Sequence, residues 1–227
     1  MQPVAFHQTI AAGSSAADAL KTAGLRDPLL DSPALLGVTM PFEKGEEIYG
    51  ESEKAECIYK VLAGAVRTYN ILQDGRRQIG GFYLPGDLFG LEADERYSMS
   101  AEAVVNANIL VIRRKAIATA SQRDPRILGM LLSNTARELN RARNHALLLV
   151  KTAQERVASF LLEMASRLPG DTVELPMCRQ DIADYLGLTI ETVSRTLTQL
   201  GNLRAIEIPS SRRIILRNPK ALAQLNS

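Results

Sequence analysis

The sequence predicts an α+β chain in which an antiparallel β-roll is followed by a long dimerisation helix and a C-terminal winged helix-turn-helix. Three observations carry this expectation. Between about residues 41 and 112, short β-branched and aromatic runs are punctuated by glycines at 45, 50, 64, 75, 80, 81, 86 and 90. From about residue 123 to 168 the apolar period becomes helical. The remaining segment then reads strand, helix, Gly187 turn, helix and hairpin.

In the first region, the runs Cys57 to Leu62, Ala65 to Tyr69, Ile79 to Leu84 and Asn108 to Ile112 are strand-like. Asp74-Gly75 marks a hairpin between two of them. No helix of ordinary length fits there. In the second region Leu128, Leu132, Thr135, Leu139, Ala142, Ala146, Leu149 and Ala153 recur at spacings of four and three. Such a pattern suits either an amphipathic helix lying on its own β domain or a two-stranded coiled coil, and the strict 3.5 period favours the coiled coil, hence a dimer. A second helix from about Thr152 to Leu168 is closed by Pro169-Gly170. The last segment predicts a strand at Val173 to Leu175, helices from about Gln180 to Leu186 and Ile190 to Leu200, and a hairpin of Ala205 to Ile208 with Arg213 to Arg217. The expected divisions are a mobile tail at 1–25, with at most a short helix at Ala16 to Ala23, the roll at 26–122, the dimerisation helix at 123–150 and the DNA reader at 151–227.

Composition excludes several classes. With 227 residues, 46% hydrophobic and 23% charged, the chain can bury a real core and is not a disordered polymer. Two cysteines, Cys57 and Cys178, do not make a disulfide framework, and the apolar run Ala146 to Val150 is far too short to span a bilayer. The first residues lack a signal-peptide layout, so a cytoplasmic, reducing location, with no membrane partner, is expected. The net charge of +2 looks neutral toward nucleic acid, but residues 194–227 carry six basic residues against Glu207 alone, a local +5.

The second reader helix divides into two stripes. Ile190, Val193, Leu197 and Leu200 are expected to face inward, while Glu191, Ser194, Arg195 and Thr198 face outward. Taken alone, the outward stripe could be a solvated face with a Glu191–Arg195 pair. Beside a turn and a basic wing it suits a major-groove reader: arginine forks onto guanine O6 and N7, glutamate accepts from cytosine N4, and serine serves either role. Glu191, Ser194 and Arg195 are therefore the base-contact candidates. Arg179, Thr189, Thr192, Thr198, Arg212 and Arg213 are the candidates for phosphate contacts. No nucleophile motif, P-loop or His/carboxylate metal cluster supports an enzyme.

These residues resemble the CRP/FNR superfamily of bacterial transcription regulators over nearly the whole chain from about Leu29. Gly45-Glu46, Ile58-Tyr59-x-Val61-x-x-Gly64-x-Val66-Arg67, Asp74-Gly75-Arg76 and Pro85-Gly86-Asp87-x-x-Gly90 look like its cyclic-nucleotide-binding type of β-roll. The stretch from Arg179 to Arg195 resembles its helix-turn-helix, in the Glu-x-x-Ser-Arg form of the FNR-like branch. Details around Tyr49-Gly50-Glu51 and Phe82 to Glu92 look closest to the FixK subgroup of rhizobia. The resemblance implies a homodimer on palindromic TTGA-type half-sites of double-stranded DNA, contact with RNA polymerase, and activation of low-oxygen and nitrogen-fixation genes.

The same resemblance sets expectations for control. Glu92 could pass for the acidic ribose ligand of a cyclic-nucleotide pocket, but no clean Arg-Ser pair follows in Phe89 to Ala101. Two cysteines cannot hold a four-iron cluster, and His7 and His145 are poor haem candidates. The expectation is an effector-independent regulator with no cofactor; a small-molecule-gated regulator of the same fold is the alternative. Cys57 reads as a small buried hydrophobe. Cys178 stands where serine or threonine would cap the first reader helix, with Asp181 three residues on, and is a candidate redox-sensitive site because an oxidised sulfur there would repel phosphate.

Overall fold

The computed structural model describes residues 37–168 and 172–225. The expected tail at 1–25, its short helix, and the Pro169-Gly170 helix stop lie outside the described residues.

Six strands build the roll: β1 (Val38–Phe42), β2 (Glu47–Tyr49), β3 (Cys57–Ile71), β4 (Arg77–Tyr83), β5 (Leu88–Phe89) and β6 (Ser100–Arg113). All are antiparallel, in the order β1-β6-β3-β4, with β2 on β6 and β5 on β3. The runs expected as two strands before Asp74 form the single strand β3, which passes through Gly64. There φ is +86°, and a Cβ would lie 2.4 Å from the Asn106 carbonyl oxygen, so only glycine fits.

The register against β6 shifts on both sides of Gly64, and the shift changes which face each side chain takes. Before it, Tyr59 and Val61 point into the roll while Ile58 and Leu62 face the helices; after it, Val66 points into the roll and Ala65 faces the C-terminal domain. The expected hairpin at Asp74-Gly75 joins β3 to β4, with Gly75 at φ +82°.

Helix α1 (Arg114–Arg123) follows β6 directly, in a stretch the sequence assigned to the roll. Its only buried residues are Ile117 and Ala120, too few to show a period. Helix α2 (Pro125–Leu148) starts at an Asp124 cap that accepts from the Arg126 amide at 3.0 Å. One seam of α2, Ile127, Leu131, Asn134, Glu138, Arg141, His145 and Leu148, is wholly or partly buried on its own chain. The seam one position on, Leu128, Leu132, Thr135, Leu139, Ala142, Ala146 and Leu149, is exposed. The helix thus lies on its own domain and also keeps a free apolar stripe.

Two expected seam positions fall off the end of α2: Leu149 is its cap, and Ala153 opens α3 (Ala153–Arg167). The break arises because Thr152 forms a capping box with Glu155, and because the Arg156 guanidinium donates to the carbonyls of Leu149 (2.6 Å) and Lys151 (2.9 Å). Arg156 also donates to the Leu186 carbonyl at 2.9 Å, tying the end of α2 to the first reader helix.

The reader comprises β7 (Thr172–Glu174), α4 (Arg179–Leu186), α5 (Ile190–Asn202), β8 (Ile206–Glu207), β9 (Arg213–Leu216) and α6 (Pro219–Gln224). The small sheet has the order β7-β9-β8. Its strands are shorter than the sequence suggests: Leu175, Ala205, Ile208 and Arg217 lie outside them. One apolar core runs from the roll into the reader. Phe82 of β4 packs on Phe160 of α3 and Tyr185 of α4 at ring-centroid distances of 6.3 and 5.3 Å, and Tyr185 stacks on His145 of α2 at 4.1 Å.

Candidate nucleic-acid interface

Gly187 ends α4 in the left-handed conformation at φ +62°, and Thr189 then caps α5 by accepting from the Thr192 amide at 3.2 Å. This short turn fixes the angle between the two helices. Val193, Leu197 and Leu200 are buried, as the inward stripe requires. Ile190 is not: it is 37% exposed, because at the first turn of α5 it borders a cleft instead of the core. That cleft, of about 650 Å³, lies between the β3–β4 hairpin (Leu72, Arg76, Arg77) and the start of α5. Thr196 takes the fourth buried place on α5.

Glu191, Arg195 and Thr198 are exposed on the opposite face, and Ser194 is half-buried between them. The backbone amide of Glu191 and the Thr189 hydroxyl hold the Glu191 carboxyl below the usual glutamate range, with Arg195 adding to this, so it stays ionised as an acceptor. Ser194 is partly covered by Arg179, whose Nη1 donates to Ser194 Oγ at 3.3 Å. The Thr198 hydroxyl donates to the Ser194 carbonyl at 3.0 Å. Its proton is thereby spent on its own helix, which leaves only lone pairs outward and makes it a poor donor to phosphate. Thr189 and Thr192 share a hydroxyl–hydroxyl bond at 3.1 Å beside the recognition face.

In the wing, Ser210 Oγ accepts from the Arg213 amide at 3.2 Å and shapes the turn. Arg213 is exposed, while Arg212 is half-buried and its carbonyl accepts from the Leu175 amide at 2.8 Å. Arg217 forms an ion pair with Glu207, so part of the local basic excess is internally neutralised.

The two acidic groups of α4, Asp181 and Asp184, are turned toward the roll. Asp181 is 3% exposed; its Oδ1 accepts from Arg67 of β3 at 2.7 Å and from Arg77 of β4 at 2.6 Å. Arg77 also holds Asp184 at 2.9 Å, and Arg67 holds Glu102 at 2.7 Å. Asp87 of the roll bridges Arg141 of α2 and Arg167 of α3, each at 2.7 Å. These partners are 35 to 114 residues apart in the chain, and sequence reasoning missed all of them. The one available signal, acidic residues on the first reader helix of a domain expected to meet phosphate, goes unread without the fold. Cys178 is exposed; its amide and thiol both donate to Asp181 Oδ2, at 3.1 and 3.2 Å. The candidate redox site therefore touches the carboxylate that also ties the reader to the roll. Cys57, expected to be buried, is only half-buried, because it opens β3 at the edge of the roll core.

Inside the roll, six aromatic residues are buried together, Phe42, Tyr49, Tyr59, Tyr83, Phe89 and Tyr97, and the last five have their rings in mutual contact. Tyr49 and Tyr97 stack at 3.7 Å and Tyr59 lies 5.1 Å from Phe89. Glu92 accepts from the Ser98 hydroxyl at 3.0 Å and the Ser98 amide at 3.3 Å. Arg114 donates to the carbonyls of Ala55 at 3.2 Å and Asp94 at 3.1 Å, and also to that of Glu92.

Comparison with known proteins agrees with this architecture. Residues 39–124 match a cyclic nucleotide-binding domain model and residues 155–225 a Crp-like helix-turn-helix domain model. The chain is 48% identical to the nitrogen fixation regulation protein FixK of Azorhizobium caulinodans, over 86% of this chain and 81% of that protein. It is 43% identical to the transcriptional activatory protein AadR of Rhodopseudomonas palustris, over 72% and 71%. The solved structure of FixK2 from Bradyrhizobium japonicum superposes with a TM-score of 0.81 at 47% identity, over 85% of this chain and 98% of that one. Among the described residues no helix is long and apolar enough to cross a membrane.

Proposed function

We propose that this chain, which belongs to the CRP/FNR family of transcription regulators, works as a homodimer that reads palindromic TTGA-type sites with Glu191, Ser194 and Arg195. That it is a DNA-binding regulator of the nitrogen-fixation and low-oxygen type, and not an enzyme, follows from its relatives and its helix-turn-helix. The finer reading rests mainly on one observation: α5 buries Val193, Leu197 and Leu200 and leaves Glu191 and Arg195 exposed on the other side. Such a face fits the major groove, with the wing arginines Arg212 and Arg213 over the flanking phosphates.

The exposed seam of α2 supports dimerisation: Leu128, Leu132 and Leu139 are 61, 69 and 50% exposed and lie in one heptad stripe, the pattern that a partner helix would cover. In a dimer the two readers would face successive major grooves, roughly 34 Å apart. The ring stack inside the roll supports effector-independent action, since a nucleotide base would have to displace packed aromatic side chains. Activation in the bacterial cytoplasm through contact with RNA polymerase, and modulation by oxidation of Cys178, complete the reading. No cofactor is required.

The test is fluorescence anisotropy with a TTGA palindrome and a scrambled duplex, alongside dimer mass from sedimentation, each in reduced and peroxide-treated protein. Selective binding by a dimer is expected. Equal affinity for both duplexes ends the reading, and equal peroxide sensitivity in Cys178→Ser removes Cys178 as the switch. Calorimetric binding of cyclic nucleotides that shifts DNA affinity would establish the gated alternative instead.

A further inference from the structure

We infer that Arg179 is a positioning residue for base recognition, acting through Ser194 to make that hydroxyl a hydrogen-bond donor toward DNA. The inference rests on the recognition face proposed above and names what sets its selectivity at one position.

Arg179 is the first residue of α4 and reaches across the turn to α5, where Nη1 meets Ser194 Oγ at 3.3 Å. Its Nε is buried and has no hydrogen-bond partner among the described residues. The guanidinium is thus half-buried, with Nη1 on Ser194 across the turn, and is not freely extended into solvent. A free serine hydroxyl has one proton and two lone pairs and reads either a donor or an acceptor on a base edge. Guanidinium carries donors only, so it takes one lone pair of Ser194 and leaves the proton for another partner. Its positive charge also weakens the remaining lone pair as an acceptor and strengthens the O–H as a donor. The contact holds the hydroxyl in one rotamer as well.

A donor-biased Ser194 selects purine N7, guanine O6 or thymine O4 and rejects the amino groups of adenine N6 and cytosine N4. Selectivity at that base pair therefore depends on a residue of the other helix. Lysine keeps the charge and the donors but lacks the planar group whose buried Nε fixes Nη1 against Ser194, so it holds the hydroxyl less firmly.

The experiment uses the full chain and duplexes in which each base pair of the TTGA half-site is replaced in turn by the other three. Wild type, Arg179→Ala, Arg179→Lys, Ser194→Ala and the Arg179→Ala/Ser194→Ala double variant are compared by anisotropy. Arg179→Ala is expected to lose about three- to tenfold selectivity at one base pair, the size of a single hydrogen bond. Ser194→Ala should affect the same pair, and the double variant should be no worse there than either single one. Arg179→Lys should show the same local loss while keeping most of the overall affinity. Arg179→Ala weakening every duplex by one common factor, or losses at that pair that simply multiply in the double variant, would overturn the inference and leave Arg179 as a phosphate contact. A wild-type protein with no preference for TTGA over scrambled DNA would overturn the recognition face itself, a result read without any variant.

Discussion

Lys60 lies on the helix-facing side of β3 and is 5% exposed. Burial pushes its pKa down from 10.5 to about 8, with the Arg137 charge acting the same way and Asp87 opposing it. The folded value lies below the unfolded one, so the cost of burying the ammonium is fully present below about pH 8 and fades as pH rises toward 10.5. Lys60→Met should therefore stabilise the fold by about 1–3 kcal/mol at pH 7, a gain that shrinks toward pH 10. Thermal melts of both proteins at the two pH values check this; a gain independent of pH contradicts the burial argument. On the recognition face, Arg195→Ala should cost about 1–3 kcal/mol of binding and relax guanine preference, whereas Arg212→Ala should weaken all sequences alike and lower the salt slope by about one. Titrations at several salt concentrations separate the two roles.

At the scale of elements, α2 carries two adjacent heptad seams, and the distinction between them is what the sequence pattern leaves open. A 3.5 repeat shows that a stripe will be buried but not against which partner. The chain's own roll and reader take the Ile127-to-Leu148 seam, and Leu128, Leu132 and Leu139 remain outside it. Leu139→Asp should leave the fold of one chain nearly unchanged and convert the dimer to monomer with loss of palindrome binding, as read by sedimentation and anisotropy. A stable dimer in that variant would place the interface elsewhere. The α5 stripes were legible because a 3.6 period needs only local spacing. Ile190 broke the pattern because its place at the first turn puts it at a cleft, and α1 escaped notice because two buried residues make no period.

Across the whole molecule, the reader is fastened to the roll by a shared core and by Arg67 and Arg77 on Asp181 and Asp184. The side chains of Arg67 and Asp181 are 12 and 4% exposed, so these are buried pairs and removing one partner leaves a charge without its counter-ion. Arg67→Ala/Arg77→Ala should cost about 3–5 kcal/mol and raise hydrogen exchange in α4 before it does so in β3 or β6. Exchange that rises equally in all three elements would mean that the pairs stabilise the roll alone. The fastening also segregates charge: with Asp181 and Asp184 neutralised against the roll, the side of the reader that carries Arg195, Arg212 and Arg213 keeps its basic excess. The formal +2 of the chain conceals this.

The sequence by itself determined the order of roll, long helix and winged reader, the outward placing of Glu191, Arg195 and Thr198 on α5, and the hairpin at Asp74-Gly75. Each is written in spacing or in a turn residue acting within a few positions of itself. Only the tertiary structure decided that Arg67 and Arg77 meet Asp181 and Asp184, since those partners are 104 to 114 residues apart and the Gly64 register shift decides where β3 aims its later side chains. It likewise decided that Arg179 reaches Ser194, because that contact depends on how two helices cross, which no periodicity encodes.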